Sequence, residues 1–188
     1  MFTDIMILAR LRQGPKHGYE IKQFIESALG GMYQMTNSKL YPSLKRFEEM
    51  GAVEREVIRQ ERKPDKHLYH LTSVGHEIFH DLITDFPEDR ARREGEFYVR
   101  VTCFPLLTAQ ERLAVLQTRM DVLRKRRANV QQWGVEGEHK SQRYLKALSS
   151  LRQELFDVEL RTLETWFADE KVSQKAEEQK LVRPRQDE

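Results

Sequence analysis

Around Gly51 the apolar pattern of this 188-residue chain changes from a helical repeat to an alternation of two, and near Thr72 it changes back. Before Gly51 three segments carry apolar residues at helical spacing: Phe2, Ile5, Leu8 and Ala9, then Ile21, Phe24, Ile25 and Ala28, then Leu40, Leu44 and Phe47. Gly14-Pro15, Gly30-Gly31 and Gly51 separate them, so the second helix is predicted from about His17 to Leu29 and the third from about Asn37 to Met50. Val53, Arg55 and Val57 then alternate with Glu54, Glu56 and Ile58, a polar turn spans Arg59 to Lys66, and His67 to Leu71 reads as a second strand. Thr72 or Ser73 can cap a further helix carrying Val74, Ile78, Phe79, Leu82 and Ile83. Helix, helix, helix, strand, turn, strand, helix is the order of a winged helix-turn-helix, expected over residues 1–86.

Pro87 and the charged stretch from Glu88 to Glu96 mark a boundary, and residues 87–105 read as a connector with one short helix on Phe97, Tyr98, Val101 and Phe104. Thr108 and Glu111 have the spacing of a capping box, in which each side chain satisfies the other's backbone amide. Leu113, Leu116, Met120, Leu123 and Val130 follow at heptad positions, with Arg127 interrupting. After a turn around Trp133 to Glu138, a long helix from about Ser141 to Phe167 carries one stripe of Tyr144, Leu148, Leu151, Leu155 and Val158. Leu145, Phe156, Leu160, Leu163 and Phe167 widen that stripe, and Trp166 adjoins it. So wide an apolar surface asks for more partner than one helical hairpin supplies, and a second copy would provide it. Residues 106–170 are therefore expected to form a coiled-coil-like dimerisation domain, with Leu113, Leu116, Met120, Leu123, Tyr144, Leu148, Leu151, Leu155, Val158, Leu163 and Trp166 at the interface. The charged residues 171–188 are expected to be a disordered tail. The fold class is mainly α with a small two-stranded wing.

Charge decides little in sum and more in distribution. Residues 1–86 hold 12 basic and 12 acidic side chains, yet from Arg10 to Arg46 seven basic residues face only Glu20 and Glu26. The turn between the strands adds Arg59, Arg62, Lys63 and Lys66 against Glu61 and Asp65. Positive charge thus gathers on the elements a winged helix presents to a duplex. With Leu40, Leu44 and Phe47 buried, the opposite arc of the third helix holds Ser38, Pro42 and Lys45, flanked by Lys39, Tyr41 and Arg46. Short polar side chains in its first two turns can approach base edges, while Lys45 and Arg46 would reach phosphates. A solvated helix face would show the same composition.

His17-Gly18-Tyr19-Glu20, then Lys39 to Glu48 (Lys-Leu-Tyr-Pro-Ser-Leu-Lys-Arg-Phe-Glu), then Lys63-Pro64, Tyr69-His70-Leu71-Thr72 and Gly75 resemble the PadR family of bacterial transcriptional regulators. The second half resembles, by pattern and length, the subfamily with a virulence-activator-type C-terminal dimerisation domain. The resemblance implies a homodimer that binds inverted-repeat operators in double-stranded DNA, usually as a repressor, with third helices spaced by about 34 Å or a multiple. From its lone cysteine and lack of an export signal the chain is expected in the cytoplasm. Carried over by position, Asn37, Ser38, Lys39 and Tyr41 fall where the family's recognition helix meets DNA, and Lys63 and Lys66 fall at its wing. Lys45, Arg46, Arg62 and Lys16, at the start of the second helix, complete the expected contacts. Many members carry Gly-Thr before the Leu-Tyr-Pro where this chain has Ser38-Lys39, which leaves the operator sequence open. A protein-interaction module that docks an acidic partner is the alternative.

Other features point elsewhere. The lone Cys103 excludes a disulfide framework and fits a reducing compartment. The longest apolar run near the N-terminus, Ile5 to Ala9, is too short for an export signal or a membrane span. His76 and His80 lie four apart on a helix with His67 and His70 upstream, a spacing that can hold a metal, but no third ligand is evident and surface histidines are the simpler reading, so no metal or other cofactor is expected. Trp133, Trp166, Phe97, Tyr98 and Phe104 could line a pocket for a small aromatic or apolar effector, against which stands ordinary packing. The basic run Arg124 to Arg127 reads as a solvated face offset by acids on a neighbouring helix. No phosphate loop, nucleophile elbow or paired carboxylates suggest an enzyme.

Overall fold

The computed structural model describes residues 2–28, 34–59, 65–131 and 142–182. The chain divides into two compact units, Met1–Asp85 and Phe86–Glu188. The first contains α1 (Phe2–Leu11), β1 (Lys16–His17), α2 (Gly18–Ala28), α3 (Asn37–Glu49), β2 (Val53–Ile58), β3 (Lys66–Leu71) and α4 (Ser73–Thr84). Ile5, Ile7, Leu8 and Leu11 of α1 meet Ile21 and Ile25 of α2, Leu40, Leu44 and Phe47 of α3, and Phe79 and Ile83 of α4 in one core. Gly51, at φ 69°, ends the third helix in the left-handed region, which an L side chain enters only at a cost.

The sheet has three antiparallel strands in the order β1-β3-β2 rather than the two expected. β2 and β3 pair from Val53 opposite Leu71 to Ile58 opposite Lys66, and β1 adds Lys16 opposite Tyr69 and His17 opposite Leu68. Two residues are too few to display an alternation, which is why the sequence hides β1. The Nδ1–H of His17 donates to the carbonyl of His67 at 2.9 Å and reinforces that edge. Val53 is the one fully buried residue of β2, so most of the ribbon stands in solvent and its alternation is not a buried face.

Thr72 caps α4. Its hydroxyl oxygen accepts from the Gly75 amide at 3.0 Å and donates to the Gly51 carbonyl at 2.7 Å. Gly75 itself lies against the Ala52 carbonyl, and a Cβ there would sit 2.1 Å from that oxygen and 2.5 Å from a Leu71 methyl. The nearest obstacle is backbone and cannot swing away. Gly75→Ala is expected to destabilise the domain by about 2–3 kcal/mol in chemical denaturation; an unchanged midpoint would show that α4 can shift freely.

The second unit contains α5 (Glu88–Ala91), α6 (Glu94–Thr102), a 3-10 turn (Phe104–Leu106), α7 (Ala109–Gln131) and α8 (Gln142–Val182). The capping box forms as the spacing predicts: the Thr108 amide donates to the Glu111 carboxylate at 2.8 Å, and the Glu111 amide donates to the Thr108 hydroxyl at 3.3 Å. α7 and α8 run antiparallel and zip together through Val115, Leu116, Met120, Leu123, Val130, Phe156, Leu160 and Leu163, with Phe86, Ala91 and Phe97 in the same core. Residues 87–105 are thus two short helices built into this unit rather than a linker. α8 does not stop near Lys171 but continues to Val182, because the stretch beyond holds helix formers and no glycine or proline before Pro184. Among the described residues no helix is long and apolar enough to cross a membrane.

Candidate nucleic-acid interface

α3 is amphipathic by construction. Leu40, Leu44 and Phe47 are buried in the domain core, and Asn37, Ser38, Lys39, Tyr41, Pro42, Lys45 and Arg46 are all exposed. Thr36 stands at the N-cap without a side-chain cap; its hydroxyl pairs instead with Ser38 Oγ at 2.9 Å. Pro42 lies inside the helix and has no amide hydrogen, so the Ser38 carbonyl four residues back lacks its usual donor. The exposed start of α3 therefore offers an amide side chain, a hydroxyl, an ammonium and a spare carbonyl acceptor, a set suited to the edges of bases.

The structure separates the expected phosphate ligands. Lys45 stays in solvent, with only a 3.7 Å approach to Glu49 and both partners exposed, a contact worth little. Arg46 is committed elsewhere: its guanidinium donates to Asp4 of α1 at 2.6 Å and lies over the Phe47 ring. Its charge is thus spent in pinning α3 to α1, which a one-dimensional reading of the basic run cannot reveal. Arg55, by contrast, pairs with Glu48 at 3.1 Å and ties α3 to β2. Lys66 is exposed at the base of the wing, and Lys16 folds back onto the Pro15 carbonyl at 3.1 Å. Arg62 and Lys63 lie outside the described residues.

Two clefts open beside α3. One, of about 500 Å³, is lined by Tyr41, Lys45, Glu48, Glu49, Arg55 and Tyr69. Burial pushes the Tyr69 hydroxyl above its ordinary pKa, and nearby Tyr41 adds to the shift. The other, of about 200 Å³, joins the start of α2 to β3, and the Tyr41 ring stands between the two. Of the histidines, His70 meets Glu56 across the sheet at 3.0 Å, and His76 and His80 are exposed on α4. Among the described residues no group of three side chains gathers to hold a metal.

Residues 7–81 match the model of the family described as transcriptional regulator PadR-like. The N-terminal domain belongs to the PadR-like family. The match runs from within α1 to within α4, nearly the whole of that domain. The negative transcriptional regulator PadR of Bacillus subtilis (strain 168) is 28% identical over 124 residues, 66% of this chain and 66% of that protein, just under two thirds of its length. Among solved structures, Bacillus subtilis PadR in complex with operator DNA is 21% identical, with a TM-score of 0.41 over 89% of this chain and 98% of that one. A transcriptional regulator from Clostridium thermocellum is 26% identical, with a TM-score of 0.39 over 42% of this chain and 75% of that one.

The expected dimer residues of the second unit fall into two groups. Leu116, Met120, Leu123 and Leu163 are corrected: they are buried in the chain's own core, facing α5, α6 and the opposite helix of the hairpin, and cannot reach a second copy. Leu113 is half-buried. Tyr144, Leu148, Leu151, Leu155, Val158 and Trp166 stand exposed, from 40% at Trp166 to 75% at Tyr144. α8 has two apolar faces, one inward on Phe156, Leu160 and Leu163 and one outward. The basic run of α7 is absorbed at home: Arg124 meets Glu164 and Asp121, Lys125 meets Glu88, Arg126 donates to the Arg92 carbonyl, and Arg127 meets Asp157. Of the aromatics that could line an effector pocket, Phe97 is buried in the core, Phe104 packs partly buried against it, Tyr98 and Trp166 are exposed, and Trp133 lies outside the described residues.

Proposed function

We propose that the chain is a homodimeric repressor that places its two α3 helices in successive major grooves of an inverted-repeat operator. The observation that carries the reading is the exposed start of α3, where Asn37, Ser38 and Lys39, and Lys45 further along, all stand in solvent on a helix seated by its buried Leu40, Leu44 and Phe47. In this reading Asn37 and Ser38 read base edges, Lys39 and Lys45 meet phosphates, and the wing lies along the backbone. The outward stripe of α8 supports dimerisation, because apolar side chains at alternating spacings of three and four are what a coiled-coil partner covers. The negative regulator from Bacillus subtilis supports repression as the direction of control. A small aromatic or apolar effector would act by binding the DNA-competent and incompetent states unequally.

The test is selection of bound duplexes from random and same-genome DNA, followed by titration of the best duplex across salt. An enriched inverted repeat with a steep negative salt slope is the expected result. Lys45→Ala should then weaken all sequences alike and flatten the slope by about 0.9 per lost phosphate, whereas Asn37→Ala should change which sequences are enriched. Absence of any enriched duplex, with weak binding at every salt, would sink the proposal.

A further inference from the structure

Tyr41 lies on the exposed arc of the recognition helix, but the structure does not leave it pointing freely outward. Its ring rests over Gly18, the first residue of α2. A Cβ on Gly18 would come within 3.0 Å of the Tyr41 hydroxyl and 3.2–3.3 Å of two ring carbons. Gly18 does not adopt the left-handed backbone, so glycine is needed here for space and not for conformation. The contact brings together two short segments far apart in the sequence, His17-Gly18-Tyr19 and Leu40-Tyr41-Pro42.

Seated there, Tyr41 forms one wall of the 200 Å³ cleft whose remaining lining is His17, Tyr19, Asp65, Lys66, His67 and Tyr69. His17 is fixed: its Nδ1–H donates to the His67 carbonyl at 2.9 Å, its backbone amide donates to the Glu20 carboxylate at 2.7 Å, and its ring stacks on Tyr19 at 6.0 Å. The Tyr41 hydroxyl and the Lys66 ammonium make no hydrogen bond or ion pair among the described residues. The cleft thus gathers unspent donors from α3 and β3 against a rigid wall from β1 and α2. Asp65 is the single carboxylate lining it, exposed on the rim.

We infer that this cleft grips one backbone phosphate of the bound duplex, with Tyr41 and Lys66 as donors and Gly18 as the residue that positions Tyr41. The inference rests on the DNA-binding reading above and gives Tyr41 a different task from its neighbours: it sets the depth and register of α3 on the backbone and reads no base. A tyrosine and a lysine that line one cleft of this size suit a tetrahedral oxyanion, whose oxygens accept from a hydroxyl and an ammonium alike. Asp65 opposes the phosphate, so neutralising it tightens the grip.

The experiment uses the selected duplex with each phosphate in turn replaced by a neutral methylphosphonate, titrated against the full-length protein and the variants Tyr41→Phe, Lys66→Ala, Gly18→Ala and Asp65→Asn. In the wild type one position per half-site should lose about tenfold in affinity. In Tyr41→Phe, which keeps the ring and its packing, the same position should lose no more than about twofold, and Gly18→Ala should behave like it. Lys66→Ala should lower the salt slope by about 0.9, and Asp65→Asn should bind more tightly. If the duplex is bound but wild type and Tyr41→Phe respond alike at every phosphate, the cleft holds no phosphate and the DNA-binding reading stands. If the wild type binds no duplex, both readings fall.

Discussion

The double substitution Leu151→Glu with Leu155→Glu should convert a dimer into a monomer and weaken binding to a two-half-site duplex by at least about a hundredfold. Both side chains lie on the outward face of α8 and are about half exposed in the single chain, so neither is needed for the hairpin to fold. Each leucine is worth about 1.5–3 kcal/mol when fully covered, and a symmetric contact counts each one twice. Four carboxylates brought together across the two-fold axis would add repulsion to that loss. Sedimentation should show the change of mass, with circular dichroism unchanged. A variant that stays dimeric would move the interface off this stripe. A wild type that is monomeric at tens of micromolar would remove the dimer from the proposal altogether.

The second large effect is expected inside the chain. Arg119 is fully buried in the hairpin, where its Nε donates to Glu159 of α8 at 2.7 Å, its Nη1 donates to the Ala91 carbonyl of α5 at 2.6 Å, and its guanidinium lies over Phe97 of α6. One side chain therefore ties together four helices. Arg119→Ala leaves the Glu159 carboxylate and a backbone carbonyl without their donor and opens a void, at a cost of about 3–5 kcal/mol. A pair Arg119→Met with Glu159→Leu should recover much of that loss, because neither charge is then left without its partner. A cost for Arg119→Ala below about 1 kcal/mol would mean that water or another cation replaces it. Glu88 on α5 is a milder, pH-dependent link. Hydrogen bonds from Lys125 and Arg92 hold its carboxyl near a pKa of about 2, below the ordinary 4.5. Its contribution is present above about 4.5 and is lost as the pH falls towards 2.

The winged-helix order was legible because each of its elements has a period long enough to show: the α3 stripe of Leu40, Leu44 and Phe47 is the stripe the core uses, and Gly51 and Thr72 end and begin helices as their side chains dictate. β1 was not, since two residues carry no period. In the second unit the sequence revealed that there was too much apolar surface but not how it divides. Leu116 and Leu151 look alike in a heptad pattern, yet one is buried in a core shared by α5, α6, α7 and α8 and the other faces outward. Arginines were the least legible. Arg46 and Arg119 look like two surface cations in sequence, but an aspartate 42 residues away claims the first and a glutamate 40 residues away claims the second. In the same way, the seat of Tyr41 depends on an absent Cβ at Gly18, and a sequence motif records that residue without saying what occupies the space.

The two-faced α8 also sets a rule for how this chain can change in length. Between Tyr144 and Phe167 the helix serves an inner face and an outer one at once, so a single inserted residue would rotate everything downstream by about 100° and take both faces out of phase together. Seven residues, close to two full turns, would bring them back with a drift of about 20°. Beyond Lys171 no buried face has to be kept in phase through the described side chains, and residues can be gained or lost there singly. Among homologues of different length, the differences within α8 should therefore come in sevens before Lys171 and in any number after it.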